Sequence, residues 1–165
     1  MKDMGEASYV IGIKIHRDKF RVILGLSQET CINTLLERFQ MKGCSPSVAP
    51  IVKGDRFNWN QCPKNNLERE QMKDIPYASA VGSLMYVQVC TRPDIAFAVG
   101  MFGRYQSNPR LDHWRDAKKV MRNLQGTKDY MLMYRRTNNL EVIGYSNSDF
   151  AGFIDSRKST SGYIS

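Results

Sequence analysis

The sequence predicts an α+β fold, with a β-hairpin at the N-terminus, a central bundle of helices and strands at the C-terminus. Apolar residues alternate with polar ones at the start of the chain, recur every three to four residues in its middle, and alternate again near its end. Strands and helices that occupy separate stretches of sequence are typical of α+β proteins. We therefore divide the chain into residues 1–26, residues 27–130 and residues 131–165, and expect the last segment to be an incomplete domain.

Two β-like runs form the predicted hairpin, YVIGIKI at residues 9–15 and FRVILGL at residues 20–26. The polar tetrapeptide HRDK, residues 16–19, lies between them and has the length of a hairpin loop, so His16 is interpreted as a turn residue. Because a two-stranded hairpin is marginally stable in water by itself, we expect this one to pack on another element.

The first predicted helix begins after Ser27, a favoured N-cap residue, and ends at Gly43. Its apolar residues share one face: Ile32, Leu35, Leu36 and Phe39. Residues 44–66 contain three prolines and several asparagines, which predicts an extended connector. Residues 67–73 are predicted to form a short helix.

A second long helix is predicted to start at Pro76. Its apolar stripe consists of Ala78, Val81, Leu84 and Met85. The segment TRPD, residues 91–94, breaks this helix, and Thr91 is a candidate N-cap for the next one. Asp94 stands three residues later, as in a capping box.

Two further helices are predicted before the final strands. The apolar positions of the first are Ile95, Ala98, Val99 and Phe102, and those of the second are Trp114, Ala117, Met121 and Leu124. Asn108 and Pro109 precede the second of these helices, and Gly126 ends it. The aromatic residues among the apolar helices are assigned to the core: Tyr77, Tyr86, Phe102 and Tyr105. Strands are predicted at residues 131–134, 140–145 and 162–164.

Charge and composition restrict the classes of function. The chain has 24 Lys and Arg against 16 Asp and Glu, a net charge of +8, which suits a polyanionic partner as well as it suits a scattered solvated surface. No apolar run of about 18 residues is present, so no membrane partner is expected. The N-terminus does not have the pattern of a signal peptide, so we expect an intracellular location. Four separated cysteines and two histidines predict reduced thiols and no metal site.

Four basic residues recur at helical spacing beside Trp114: Arg115, Lys118, Lys119 and Arg122. Such a face suits a phosphate backbone, and the alternative is an ordinary solvated basic face. Four other basic residues extend the candidate nucleic-acid surface: Arg104, Lys128, Arg135 and Arg136.

Several stretches resemble, in order, one known family. They are MKDMGEASYVIGIKI (residues 1–15), IPYASAVGSLMYVQVCTRPDIAFAVGMFGRYQSNP (residues 75–109), LQGTKDYMLMY (residues 124–134) and GYSNSDFAGFIDSRKSTSGYIS (residues 144–165). Together they resemble the Pol polyprotein of copia-type retrotransposons, from the C-terminal part of the reverse transcriptase into the start of the ribonuclease H domain. The resemblance covers essentially the whole chain.

The resemblance implies a layout. The N-terminal hairpin corresponds to the palm's primer grip, with Ile11 and Gly12 at the grip position. The helical segment corresponds to a thumb-like bundle that clamps the template–primer duplex, and residues 131–165 correspond to the first strands of ribonuclease H.

The resemblance also implies chemistry that this sequence lacks. The parent family uses Mg²⁺ held by carboxylates, including an Asp-Asp pair, and this sequence contains no Asp-Asp pair. Asn147 stands where the first ribonuclease H aspartate is expected, and Asp149 is a vestigial candidate. An amide oxygen is neutral and a poor substitute for a carboxylate at a Mg²⁺ site. We therefore expect no catalytic residue, no metal and no cofactor in this chain.

The expected function is that of a catalytically inactive retroelement fragment with residual, sequence-independent binding to an RNA–DNA or DNA duplex and no small-molecule substrate. A second hypothesis is an interaction protein adopted from a retroelement, since some secreted oomycete effectors resemble the same segment, although the Arg-x-Leu-Arg motif is absent here. A third is a split polymerase subunit. Salt-dependent duplex binding distinguishes the first hypothesis from the second.

Overall fold

The computed structural model describes residues 5–51 and 62–136, together with the backbone of residues 145–148 and 161–164. The strands are β1 (Tyr9–Val10), β2 (Ile13–Asp18), β3 (Ile23–Ser27), β4 (Met131–Arg135), β5 (Tyr145–Ser148) and β6 (Ser161–Ile164). The helices are α1 (Glu29–Arg38), α2 (Asn66–Glu70), α3 (Tyr77–Cys90), α4 (Ala96–Gly103, preceded by the 3₁₀ turn Pro93–Ile95) and α5 (Leu111–Gly126). This mixture of an antiparallel sheet with helices confirms the predicted α+β class.

The main hairpin turns three residues later than predicted. Asp18 pairs with Ile23, so the loop consists of residues 19–22, and His16 lies in β2 opposite Gly25 instead of in a turn. The carboxylate of Asp18 accepts hydrogen bonds from the backbone N–H of Phe20 (3.0 Å) and of Arg21. The Asp18 side chain thus forms an Asx turn, which reverses the chain directly after it. Residues 16–18 therefore belong to strand β2, although their polar side chains predicted a loop.

Strand β4 completes the sheet, whose strand order is β1-β2-β3-β4. Leu26 pairs with Leu132 and Leu24 pairs with Tyr134 in antiparallel register. Residues 131–135, which the sequence analysis placed in the third segment, therefore pair with a strand of the first segment. The three-segment division stays a prediction, and its boundary after residue 130 lies next to this shared sheet.

Helix α1 is shorter than predicted at both ends. Its N-cap residue is Gln28, while Ser27 ends β3 and its Oγ accepts a hydrogen bond from the Glu29 N–H at 3.3 Å. The helix ends at Arg38 instead of at Gly43. Gln40 has a φ of 57°, and the next residue, Met41, donates its N–H to the Leu36 carbonyl at 2.7 Å. This arrangement is a Schellman ending with a non-glycine residue in the left-handed position.

The core lies among α1, α3, α4 and α5. Its largest side chains include Ile32, Leu36, Tyr77, Leu84, Ile95, Phe102, Tyr105, Met121 and Leu124. The predicted stripe of α3 was partly wrong, because Ala78 is exposed and Met85 is half-buried, whereas Ala80 and Val87 are buried. Helix α3 contacts α1, α4 and α5, so several neighbours decide which of its sides is covered.

The connection after α3 also differs from the prediction. Thr91 does not cap the next helix, since Arg92 and Ile95 occupy the cap positions, and its hydroxyl donates to Gln28 Oε1 at 2.6 Å. Asp94 pairs with Arg92 through two hydrogen bonds. Strands β5 and β6 form a separate antiparallel pair in which Asn147 lies opposite Gly162. No helix in the described part of the chain has the length and apolar character needed to cross a bilayer.

Candidate nucleic-acid interface

A two-residue turn separates β1 from β2, where the sequence predicted one continuous strand. Val10 pairs with Ile13, and the two residues between them both have positive φ, 50° at Ile11 and 75° at Gly12. A two-residue hairpin loop with two positive φ values has the conformation of a type I′ turn, which favours Asn-Gly or Asp-Gly. An isoleucine at its first position is strained, and Ile11 is 77% exposed.

The helices hold this turn through both of its carbonyl groups. The Tyr86 hydroxyl of α3 donates a hydrogen bond to the Ile11 carbonyl, and the Cys31 thiol of α1 donates to the Gly12 carbonyl at 3.3 Å. Burial raises the pKa of the Cys31 thiol, and desolvation raises the pKa of the Tyr86 hydroxyl. Both groups therefore keep the protons that they donate. Tyr86 was predicted to be a core residue, but it is 39% exposed and reaches the turn instead.

Gly12 is required at this turn for a second reason besides its φ. A Cβ at position 12 would lie 2.8 Å from Cys31 Sγ, closer than Cβ contacts occur in proteins. The backbone of the turn therefore lies so close to the Cys31 side chain that any Cβ at position 12 would force that thiol to move. The two positions that the sequence analysis marked as primer-grip-like, Ile11 and Gly12, form one anchored turn.

Helix α5 carries the predicted basic residues on the side opposite its core face. At 100° per residue, Arg115, Lys118, Lys119 and Arg122 fall within an arc of about 100°. Its buried face is formed by His113, Ala117, Val120, Met121 and Leu124. Arg115 and Arg122 are exposed, and Lys118 and Lys119 are half-buried. The predicted helical spacing therefore produces one basic face.

Two of the four basic residues on this face, Arg115 and Lys119, form ion pairs with acidic residues of α5. Arg115 Nη1 lies 3.1 Å from Asp112 Oδ1, and Lys119 Nζ lies 2.8 Å from Asp116 Oδ1. Within the described part of the chain, Lys118 and Arg122 form no ion pair. Lys118 Nζ instead lies 5.6 Å from the centre of the Trp114 ring, a cation–π distance.

The predicted extension of the basic surface includes a cluster that the sequence did not suggest. Arg135 and Arg136 line a depression of about 430 Å³ together with Arg17 and Lys19. Residues from β2 and β4 meet there because both strands flank β3. Arg104 is exposed after α4, and Lys128 is half-buried after α5.

Arg92 is a structural residue that the sequence analysis missed. It is 2% exposed, and its guanidinium donates to the Thr127 carbonyl at 3.1 Å and to Thr127 Oγ1 at 2.8 Å. The same guanidinium pairs with Asp94. Thr127 is the C-cap of α5, where a cation also satisfies the helix dipole. Arg92 lies in the sequence between two apolar helices, and this position could have indicated that its side chain is buried and needs hydrogen-bond acceptors.

His113 has a structural position as well. It lies in the first turn of α5, is fully buried, and stacks on Tyr105 with 4.2 Å between the ring centres. Its Nδ1 accepts a hydrogen bond from the Arg110 N–H at 3.0 Å. Burial lowers the pKa of His113 to about 4, against a smaller opposing effect of Asp112. The ring is therefore neutral at pH 7 and caps the helix.

The ribonuclease H positions are described only in part. The backbone of Asn147 lies in β5, whereas Asp149 lies outside the described residues. In the described ranges, no three His, Cys, Asp or Glu side chains are grouped as metal ligands.

Comparison with known proteins gives a consistent set of relatives. The chain is 43% identical over 164 residues to the retrovirus-related Pol polyprotein from transposon TNT 1-94 of Nicotiana tabacum, covering 99% of this chain and 12% of that polyprotein. It is 33% identical over 164 residues to the corresponding polyprotein from transposon RE2 of Arabidopsis thaliana, of which it spans 11%. It is also 48% identical over 93 residues to the secreted RxLR effector protein 161 of Plasmopara viticola, covering 56% of this chain and 66% of that protein.

No family model matches the chain, and no solved structure gives a significant match. The Pol matches are nevertheless continuous, since they run through 99% of the chain in plant polyproteins and in a yeast transposon protein. These alignments therefore span the stretches that suggested the family from sequence. Over nearly its whole length, this chain is homologous to the Pol polyproteins of copia-type and Ty retrotransposons.

Proposed function

We propose that this chain is the primer-grip and thumb segment of a copia-type reverse transcriptase, running into ribonuclease H, and that it holds a nucleic-acid duplex without catalysing a reaction. The observation that carries the proposal is the solvent face of α5, where Arg115, Lys118 and Arg122 lie in one line opposite the core face. The homology to Pol polyproteins makes a template–primer duplex the most suitable polyanion.

The dimensions of this face suit a duplex backbone. Seven residues separate Arg115 from Arg122, which at a rise of 1.5 Å per residue gives about 10.5 Å along the helix. The same length corresponds to about three base-pair steps at 3.4 Å. Three cations spread over this length contact phosphates of the backbone and read no base edges, so the binding is independent of sequence.

The ion pairs on α5 do not oppose this function. The Arg115 side chain is 70% exposed, and an exposed ion pair contributes only about 0–1 kcal/mol. Arg115 can therefore exchange Asp112 for a phosphate at little cost. Lys118 is already placed by the Trp114 ring, which reduces the entropy lost when it binds.

The anchored turn supports the same proposal. An exposed isoleucine with positive φ lowers stability, and such strain is concentrated at functional sites. Two helices hold Ile11 outward through Tyr86 and Cys31. This is the arrangement that a primer-contacting turn needs, because the contact must be rigid before the duplex arrives.

We further propose that the chain does not carry out metal-dependent hydrolysis. Asn147 supplies a neutral amide where the resemblance calls for a bridging carboxylate, so Mg²⁺ affinity at this position is low. With a neutral amide at position 147, the cluster of carboxylates that a two-metal site requires is incomplete.

Fluorescence anisotropy with a labelled RNA–DNA hybrid, at about 50 mM and about 200 mM salt, tests the duplex proposal. The triple variant Arg115→Gln, Lys118→Gln, Arg122→Gln should reduce the slope of log K against log[salt] by about 3. The control variant Lys64→Gln, Arg69→Gln, Lys73→Gln changes the net charge equally at exposed residues around α2 and should keep the slope. Equal slopes for both variants, or no binding at low salt, would refute the proposal.

A second candidate function is that of an interaction protein. The similarity to the RxLR effector protein 161 favours it, although that match covers 56% of this chain. Binding that persists at 200 mM salt to a protein partner, together with no binding to the hybrid, would support this alternative.

A further inference from the structure

A cavity of about 540 Å³ lies between α1, α3 and the β1–β2 turn. Leu35 and Val87 contribute apolar side chains from the two helices, and Gly12 contributes the backbone of the turn. This volume is within the range of sites for small organic molecules, about 300–1,000 Å³. No residue of α5 lines this cavity in the described part of the chain, so a ligand here is independent of duplex binding on the basic face.

Small residues on α3 keep this space open. Gly82 faces it, and a Cβ built on Gly82 would meet no atom within 4 Å. The neighbouring Ser83 hydroxyl donates to the Ser79 carbonyl at 2.8 Å, and the Thr34 hydroxyl of α1 donates to the Thr30 carbonyl at 3.0 Å. These hydroxyl protons are already satisfied by the helices, so the walls offer a ligand mainly apolar contact.

The described lining of this cavity contains one charged side chain. Arg38, at the end of α1, is the charged member of its described lining, which includes no carboxylate. In the described part of the chain the Arg38 guanidinium forms no ion pair and lies 5.5 Å from the centre of the Phe39 ring. An exposed arginine beside an apolar cavity is free to form a charge-assisted hydrogen bond with an anion.

Two aromatic rings complete the lining. Tyr9 comes from β1 and Tyr86 from α3, and both are partly exposed. Aromatic side chains prefer stacked or edge-to-face contact with another ring, which makes a planar aromatic body a better occupant than an aliphatic chain.

We propose that this cavity binds an aromatic carboxylic acid, with its ring between Tyr9 and Tyr86 and its carboxylate on Arg38. Such a ligand contacts the β1–β2 turn and both helices at once. It therefore stabilises the position of the turn relative to α1 and α3.

Isothermal titration of the whole chain with 2-naphthoate tests this proposal, with neutral 2-naphthamide as the second probe. We expect saturable binding of one naphthoate per chain and at least tenfold weaker binding of the amide. Gly82→Leu fills the cavity and should abolish binding. Gly100→Leu is its matched control, because Gly100 is an exposed glycine of α4 with nothing within 4 Å of its Cβ, and it should bind normally.

A surface variant covers the case in which Gly82→Leu fails to fold. Arg38→Gln should weaken naphthoate binding at least tenfold and leave naphthamide binding unchanged, whereas the exposed control Arg69→Gln should change neither. Lack of saturable binding, or equal affinity in wild type and Arg38→Gln, would overturn the proposal. Lack of naphthoate binding together with self-association that Gly82→Leu abolishes would assign the cavity to a second copy of the chain instead.

Discussion

Thr91, at the end of α3, donates its hydroxyl proton to Gln28 Oε1, at the start of α1, over 2.6 Å. The two residues are 63 positions apart in sequence, and both side chains are buried. A buried hydrogen bond between side chains is costly to break on one side only, because the remaining polar atom loses its partner without regaining water. This bond therefore fixes how α1 meets the α3–α4 connection.

Thr91→Val should lower the free energy of unfolding by about 1–3 kcal/mol, since it leaves Gln28 Oε1 buried without its donor. The double variant Gln28→Met, Thr91→Val removes both polar groups and should be more stable than Thr91→Val alone. Urea denaturation of wild type, Thr91→Val and the double variant measures their free energies of unfolding. A double variant less stable than Thr91→Val would show that Gln28 acts through some other contact.

Gly12→Ala should destabilise the chain by more than Gly5→Ala. Both glycines have positive φ, 75° and 72°, so each alanine variant loses about 1 kcal/mol through backbone strain. The alanine Cβ at position 12 would in addition lie 2.8 Å from Cys31 Sγ, whereas a Cβ at position 5 would have no atom within 4 Å. Thermal unfolding measures how much more Gly12→Ala destabilises the chain than Gly5→Ala does. Introducing Cys31→Ala into both variants should reduce this difference. An unchanged difference in the Cys31→Ala background would argue against the steric explanation.

Arg92→Met should lower the free energy of unfolding by about 2–4 kcal/mol, because it removes charge-assisted hydrogen bonds to Thr127 and leaves the half-buried Thr127 carbonyl without this donor. Arg92→Lys should retain only part of the stability, since an ammonium cannot contact Thr127 and Asp94 with the geometry of a guanidinium. Asp94→Asn, at a half-exposed carboxylate, should cost less than Arg92→Met, because the asparagine oxygen can still accept a hydrogen bond from the buried guanidinium. If Arg92→Met and Asp94→Asn lowered the free energy of unfolding equally, the ion pair with Asp94, and not the hydrogen bonds to Thr127, would be the source of the stabilisation.

Stability should fall as the pH is lowered from about 6.5 to about 4, with His113 as one cause. The folded pKa of about 4 lies below the ordinary value, so the unfolded chain binds a proton in this window and the folded chain does not. The contribution reaches at most about 3 kcal/mol at the acid end.

His113→Gln separates this contribution from that of the carboxylates. Glutamine at the third helical position can still accept the Arg110 N–H, as in a capping box, but it does not titrate. Urea denaturation at pH 7 and pH 4.5 should therefore show a smaller pH dependence in His113→Gln than in wild type. The same pH dependence in both proteins would exclude His113 as its source.

Mg²⁺ should not support cleavage of an RNA–DNA hybrid by the chain, and isothermal titration should show only weak Mg²⁺ binding. Asn147→Asp should strengthen Mg²⁺ binding, because it restores a carboxylate two positions before Asp149 in the sequence. Asn65→Asp adds the same charge at the exposed N-cap of α2 and is the control. Mg²⁺-dependent cleavage by the unmodified chain would disprove the non-catalytic assignment.

Local patterns predicted much of the fold correctly. The three-to-four-residue spacing of Ala117, Met121 and Leu124 located the core face of α5, and Arg115 and Arg122 then had to point outward. Caps and turns were less predictable. Ser27 and Gly43 have the right residue types for helix ends, yet the helix begins and ends at other residues. Ser27 pairs with Met131 in the sheet, and the Met41 N–H closes the helix on the Leu36 carbonyl before Gly43 is reached.

The sequence by itself determined the α+β class, the core face of α5 and the family, because periodicity and motif order are properties of neighbouring residues. Only the tertiary structure decided that Tyr86 anchors Ile11 across 75 positions, that β4 pairs with β3, and that Arg92 is buried against Thr127. Each of these contacts joins groups that are distant along the chain. Their partners are fixed by how the helices pack around the sheet, since a buried polar group must find whichever partner packing brings within hydrogen-bond distance.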